Sequence, residues 1–119
     1  MRLPLATTAA GRAFLAATPE KEREHLLAAL AAKYGDEWAP IEASLRSSFA
    51  EYERDGFCLS LGDWDRNVRA AGVPLRLADG SIMALTCGAP SFQLDESTLR
   101  SSLAQQLEML ARDIESLGV

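Results

Sequence analysis

Few residues of this chain are of types that do chemistry, and their spacing narrows what that chemistry is. The thiols are Cys58 and Cys87, the single histidine is His25, and the stretch GDWD (Gly62 to Asp65) sets two carboxylates around an indole. The cysteines form no C-x-x-C pair, and one histidine with two distant cysteines makes no zinc constellation of usual spacing. No Ser-His-Asp relay can be assembled around His25. Gly72, Gly80 and Gly88 are isolated, so neither a phosphate loop nor a dinucleotide fingerprint is present. The thiols read either as redox groups or as small packing groups. GDWD reads either as a pocket rim or as a solvated turn. His25, flanked by charge, and the mixed-charge run Lys21 to Glu24 read as solvated surface. From pattern alone the profile is that of a binding module with no catalytic residues, metal or cofactor.

The elements that must position these groups fit one domain. The chain has 119 residues, 48% of them hydrophobic, enough for a single core. Its net charge of −5 argues against its gripping a phosphate backbone by itself. No apolar run is long enough to span a membrane, and no leader with a cleavage site is visible. Two scattered cysteines read as reduced thiols of a cytoplasmic chain, with a disulfide as the alternative.

Three helices are expected first. One runs from about Thr7 to Ala17. Thr18 as N-cap and Pro19 in the first helical position open a second, which Gly35 ends after Leu26, Leu27, Leu30 and Tyr34. A third spans about Glu37 to Arg54, with Trp38, Ile41, Leu45, Phe49 and Tyr52 on one face. The period then becomes two. GFCLS, NVRAAGVPLRL and IMALTC read as strands, with Pro74 marking an edge or a bulge and Asp79-Gly80 a turn. Asp95 or Ser97 caps a last helix carrying Leu99, Leu103, Leu107, Leu110, Ile114 and Leu117 on one face. Segregated helices and strands predict an α+β fold with helices packed on an antiparallel sheet.

Alternation gives two strands a face of small residues: Val68, Ala70 and Gly72 in one, Ile82, Ala84, Thr86 and Gly88 in the other. A strict two-residue loop would pair Val73 with Thr86 and separate the two small faces. A three-residue loop, or a bulge near Pro74, brings Ala70 and Gly72 together with Thr86 and Gly88, and we expect this shifted register. Such a face either takes a closely packed helix or leaves a small-molecule pocket. The first helix raises the same question, because Ala6 to Ala13 contains no large apolar side chain.

The stretch LPLATTAAGRAFLA resembles the LPLHATAxGKALLA stretch in the effector-binding domain of IclR-type bacterial transcriptional regulators. The block from Gly56 to Pro90 and the closing helix are also similar to that domain, so the resemblance runs from about Leu3 to Gly118. It implies a GAF-like (profilin-like) sheet that binds a small organic acid or aromatic effector, in a homodimer or tetramer. DNA would be bound only through an N-terminal winged helix-turn-helix, absent here. Residues 1–119 would be most of one effector domain cut from a longer regulator. The resemblance places Ala9 and Ala10 in the cavity wall. It puts Ser60 where relatives carry an acidic group, with Asp63 as a substitute three residues on. It adds Val68 and Ala70, the latter often cysteine in relatives, then Thr86, which keeps a hydroxyl, and Gly88, which loses one. So few polar groups argue against a very small dicarboxylate and for a larger or more apolar effector, an aromatic one among them, and helix N-terminal amides near Thr8 to Ala10 could hold an anion. The alternatives are a GAF-like thiol redox domain, tested by substituting both cysteines, and a pure oligomerisation domain with a filled cavity.

Overall fold

A computed structural model describes residues 4–119; Leu3, the first residue of the resemblance, lies outside the described residues. Helix α1 is Ala9–Ala17, α2 is Glu20–Tyr34, and a single 3-10 turn leads into α3, Trp38–Asp55. Strands β1 (Cys58–Leu61), β2 (Val68–Arg76) and β3 (Ile82–Pro90) form one antiparallel sheet in the order β1-β2-β3. The chain closes with α4 (Glu96–Thr98), a π-helical turn (Leu99–Leu103) and α5 (Ala104–Ser116).

The β2–β3 register is the shifted one. Ala70 lies opposite Gly88 and Gly72 opposite Thr86. The Leu77 amide donates to the Ser81 carbonyl, which leaves the three-residue loop Ala78-Asp79-Gly80, with Gly80 at φ 88°. A left-handed third loop residue is what a three-residue hairpin requires, and glycine takes it without steric cost.

This register sorts the sheet into two faces with separate cores. On the odd face Leu59, Ala71, Val73 and Leu75 meet Leu99, Ala104, Leu107 and Ala111. On the other face the small residues lie under α1, beyond which Leu15, Leu27 and Leu45 join α1, α2 and α3. A Cβ added to Gly72 would stand 2.7 Å from the Ala9 carbonyl carbon, and one added to Gly11 2.5 Å from the Leu5 Cα. Helix α1 is thus wedged between β2 and the preceding Leu5 turn, and its lack of bulk is what lets it in.

Two local expectations are corrected, for Thr18 and for the last helix, and at Pro74 the edge reading holds over the bulge. Thr18 does not cap α2: its amide and hydroxyl both donate to the Phe14 carbonyl, so it closes α1, and Pro19 is the N-cap of α2. Pro74 lies in an unbroken ladder rather than a bulge, but β1 has ended at the Cys58–Gly72 pair. The missing N–H of Pro74 therefore faces no strand, and its carbonyl accepts from Arg112 at 2.8 Å. In the last helix Leu110 and Leu117 are 50% and 75% exposed. The π turn inserts a residue and rotates the rest of the helix, so Ala111 takes the inward place. Of the two candidate caps, Asp95 is the one used, accepting from the Thr98 amide at 2.7 Å; that bond holds its carboxyl below the usual aspartate range.

Candidate functional site

Beside the Gly72 contact, where α1 and the sheet diverge, lies a cavity of ≈ 150 Å³. Its floor is Val68, Ala70, Thr86 and Gly88, and its wall is Thr8, Ala9 and Ala10 at the start of α1. Ser60 of β1 and Trp64 of the β1–β2 loop complete it, and Cys87 also borders it. The small face serves both purposes that alternation left open: one part seats a helix and the next leaves space. A space of this size holds about one aromatic ring.

Seven of the eight residues singled out in the sequence, all but Asp63, line this cavity. Their polar groups are mostly engaged. The Ser60 hydroxyl donates to the Thr7 carbonyl at 2.7 Å, crossing from β1 to the turn before α1. The Thr8 hydroxyl donates to the Pro4 carbonyl and accepts from the Gly11 amide at 3.1 Å, as the N-cap of α1. Thr86 is exposed at the mouth. The Ala9 and Ala10 amides belong to the first turn, where no intrahelical acceptor exists, so the donors that α1 offers toward the cavity are backbone. No charged side chain lines the cavity among the described residues. Arg69 lies on the other face, donating to the Leu94 carbonyl, and the Arg76 guanidinium donates to the Tyr52 hydroxyl, so neither anchors a carboxylate here.

Asp63 stands apart because Arg12 holds it. Arg12 is 3% exposed in a helix of alanines. Its Nε donates to the Ala6 carbonyl, Nη1 to the Leu59 carbonyl and to Asp63 Oδ2, and Nη2 to Ser44 Oγ, each at 3.0 Å. One guanidinium thereby ties α1 to its own entry turn, to β1, to α3 and to the β1–β2 loop. Reading the sequence missed this residue; the visible signal was one arginine in an otherwise small, uncharged run. On its far side is a polar cleft of ≈ 280 Å³ that includes Ser44, Glu51 and Arg100.

The thiols lie on opposite faces of the sheet and are both free. Cys58 is fully buried and donates to the Ser48 carbonyl at 3.6 Å; burial, reinforced by Glu51, pushes its thiol up to about 12. Burial also raises Cys87, which is only half-buried. A thiol reagent at pH 8 is expected to modify Cys87 at least tenfold faster than Cys58, read by mass spectrometry of labelled peptides; equal rates would contradict this packing. A folded-state value above the unfolded one of ~8.5 means that the Cys58 contribution to stability is complete below that pH. It declines as pH rises toward 12, and Cys58→Ala should flatten that part of a urea-midpoint profile. Among the described residues no cluster of His, Cys, Asp and Glu could hold a metal ion, and no helix is long and apolar enough to cross a membrane.

This geometry has counterparts. Residues 1–116 match the family described as bacterial transcriptional regulator IclR, C-terminal. The HTH-type transcriptional regulator TsaQ1/TsaQ2 of Comamonas testosteroni is 28% identical over 96% of this chain and 41% of its own. The crystal structure of an IclR family transcriptional regulator from Brucella abortus superposes with a TM-score of 0.93 at 36% identity, over 97% of this chain and 44% of that one. The inducer-binding domain of the Acinetobacter transcription factor PobR, a double mutant in complex with 3-hydroxybenzoic acid, superposes with a TM-score of 0.73 at 21% identity. That match covers 95% of this chain and 66% of that one, and at such identity it concerns the fold alone. The chain spans less than half the length of the first two relatives.

Proposed function

The chain belongs to the bacterial IclR C-terminal family, and from that premise we propose that its ≈ 150 Å³ cavity is the effector site of a transcriptional regulator. The observation that carries the proposal is that the residues expected to contact effector come from four elements, α1, β1, β2 and β3, and meet around one small, mostly apolar space. Ala9, Ala10, Ser60, Val68, Ala70, Thr86 and Gly88 are the binding residues. A monocyclic acid suits them: the ring rests on Val68 and Ala70, and the carboxylate faces the first amides of α1 and the Thr86 hydroxyl. The 3-hydroxybenzoic acid held by PobR makes that compound the first to try.

Binding controls the regulator through differential affinity. An effector held between α1 and the sheet favours the arrangement of these two elements that fits it, and only that preference can bias a DNA-binding equilibrium elsewhere. The basic winged helix-turn-helix would belong to the rest of a longer cytoplasmic regulator that works as a dimer or tetramer, with residues 1–119 as most of its effector domain. A cysteine enzyme is disfavoured by the burial of Cys58 and the raised Cys87 thiol.

Thermal-shift measurements with a panel of benzoates, 3-hydroxybenzoate among them, test this reading. An effector at about a hundred times its Kd contributes about 2.7 kcal/mol, so a Tm rise of roughly 8 °C is expected. Thr86→Trp, which puts an indole into the cavity from an exposed edge-strand position, should abolish the rise while keeping a cooperative melt. If no organic acid stabilises the wild-type chain, or Thr86→Trp responds like wild type, the effector site is not here.

A further inference from the structure

We infer that Trp64 is the closing, specificity-determining side chain of this cavity, and that Asp63, clamped by Arg12, is the positioning residue that holds it there. The inference rests on the effector reading for the ligand class and on independent geometry for the clamp.

Trp64 is 45% exposed yet borders the cavity, and it belongs to neither hydrophobic core. The indole is thus half in water, with its covered part at the cavity rather than in either core. At a cavity rim it offers a flat apolar wall, which favours a planar ring over a flexible chain of the same volume.

The loop that carries it is internally braced. The Gly62 amide donates to the Val68 carbonyl, the Val68 amide to the Asp65 carbonyl, and the Asn67 amide to Asp65 Oδ1. Gly62 adopts φ 85°, and an added Cβ would stand 3.1 Å from the Arg66 Cα, so the turn is tight. These bonds hold the loop to itself and to the end of β2. At the other end the Ser91 amide donates to the Asn67 carbonyl at 2.7 Å, tying the loop to the residue after β3. The side-chain tie to α1 is Asp63, whose Oδ2 accepts from Arg12 Nη1 at 3.0 Å and from the Leu61 amide at 3.3 Å. Arg12 cannot follow a moving loop, since it is buried and held by two carbonyls and the Ser44 hydroxyl. It also lies one turn beyond Ala9 and Ala10. The clamp therefore fixes the loop that carries the indole relative to the helical wall, and both border the same space. Release of Asp63 would let Trp64 swing outward without disturbing either core.

The test uses the full chain with Trp38→Phe, which leaves Trp64 as the one tryptophan. In that background Asp63→Ala is expected to raise the acrylamide Stern–Volmer constant of Trp64 about twofold and to shift its emission to the red, and Asp63→Asn to give about half of that change. The Tm should stay within a few degrees, since Asp63 is 39% exposed. Unchanged quenching in Asp63→Ala overturns the clamp. In parallel, wild type, Trp64→Phe and Trp64→Ala are titrated with 3-hydroxybenzoate and with hexanoate by calorimetry. Trp64→Ala should bind the benzoate at least tenfold more weakly than wild type and lose its preference over hexanoate, whereas Trp64→Phe keeps both. Equal affinities of Trp64→Ala and wild type overturn the specificity role. If wild type binds neither acid, the effector reading and the ring-shaped ligand class fall together, and the quenching result still decides whether Asp63 positions Trp64.

Discussion

Arg12→Met is expected to destabilise the chain by about 3 to 5 kcal/mol, the range seen when one partner of a buried, hydrogen-bonded charge is removed. The Asp63 end contributes little of this, because that carboxylate is 39% exposed and solvent screens it. The larger part comes from backbone. The Ala6 and Leu59 carbonyls each lose the guanidinium donor, and a buried acceptor left without a partner costs about 1 to 3 kcal/mol. Methionine keeps the apolar stem but not the guanidinium head, so the loss combines the missing hydrogen bonds with the space the buried head vacates. Some buried ion pairs can be replaced by hydrophobic groups at no cost, because both partners change together. Here two of the four partners are main chain and cannot be changed away. Against a total stability of ~5–15 kcal/mol, such a loss should appear as a Tm lowered by more than about 10 °C and a matching fall in the urea midpoint. Arg12→Lys keeps the charge but offers one ammonium for a fork that spans three directions, so it should recover less than half of the loss. A midpoint within about 1 kcal/mol of wild type for Arg12→Met would mean that α1 is held by its packing alone.

Arg12 also marks where the sequence stops being legible. Its partners are Ala6, Ser44, Leu59 and Asp63, and no local pattern links them. Features that depend on period two were readable: the small stripe on β2 and β3, and the register that merges it, because the loop residues admit few turn geometries. The helical core was readable for the same reason, since Leu27, Leu45 and their neighbours repeat at three and four. Leu110 and Leu117 were misplaced because a π turn shifts helical phase, and no residue type in Leu99–Leu103 announces one. GDWD stayed ambiguous between rim and turn because it is both: its backbone closes on itself while Asp63 and Trp64 face different neighbours. The resemblance grouped the positions that line the cavity before the structure did, but it could not separate Asp63, whose partner is a helix residue with no counterpart in the strand pattern.

Gly72→Ala is the second substitution expected to do large damage, although alanine is ordinarily the mildest of changes. Gly72 lies in the central strand, paired to Cys58 on one side and Thr86 on the other, so the sheet cannot retreat. The added methyl would stand 2.7 Å from the Ala9 carbonyl carbon, nearer still to its oxygen, and 3.2 Å from the Ala10 nitrogen. All three are backbone atoms that no rotamer change removes. Helix α1 must lift, and overpacking of this kind costs about 2 to 3 kcal/mol. A Tm lower by roughly 8 °C or more is expected, with amide shifts in a nitrogen–proton correlation spectrum concentrated at Ala9 to Arg12. Gly80→Ala is the control. Gly80 has φ 88° and open space around its added Cβ, so its cost is conformational only, about 1 kcal/mol. The two glycines thus separate close approach from backbone freedom. The same lift moves Ala9 and Ala10, the helical wall of the cavity, away from Ala70 and Thr86. Whatever ligand stabilises the wild type should therefore stabilise Gly72→Ala less, and a variant that melts like wild type would show that α1 does not rest on β2 at this point.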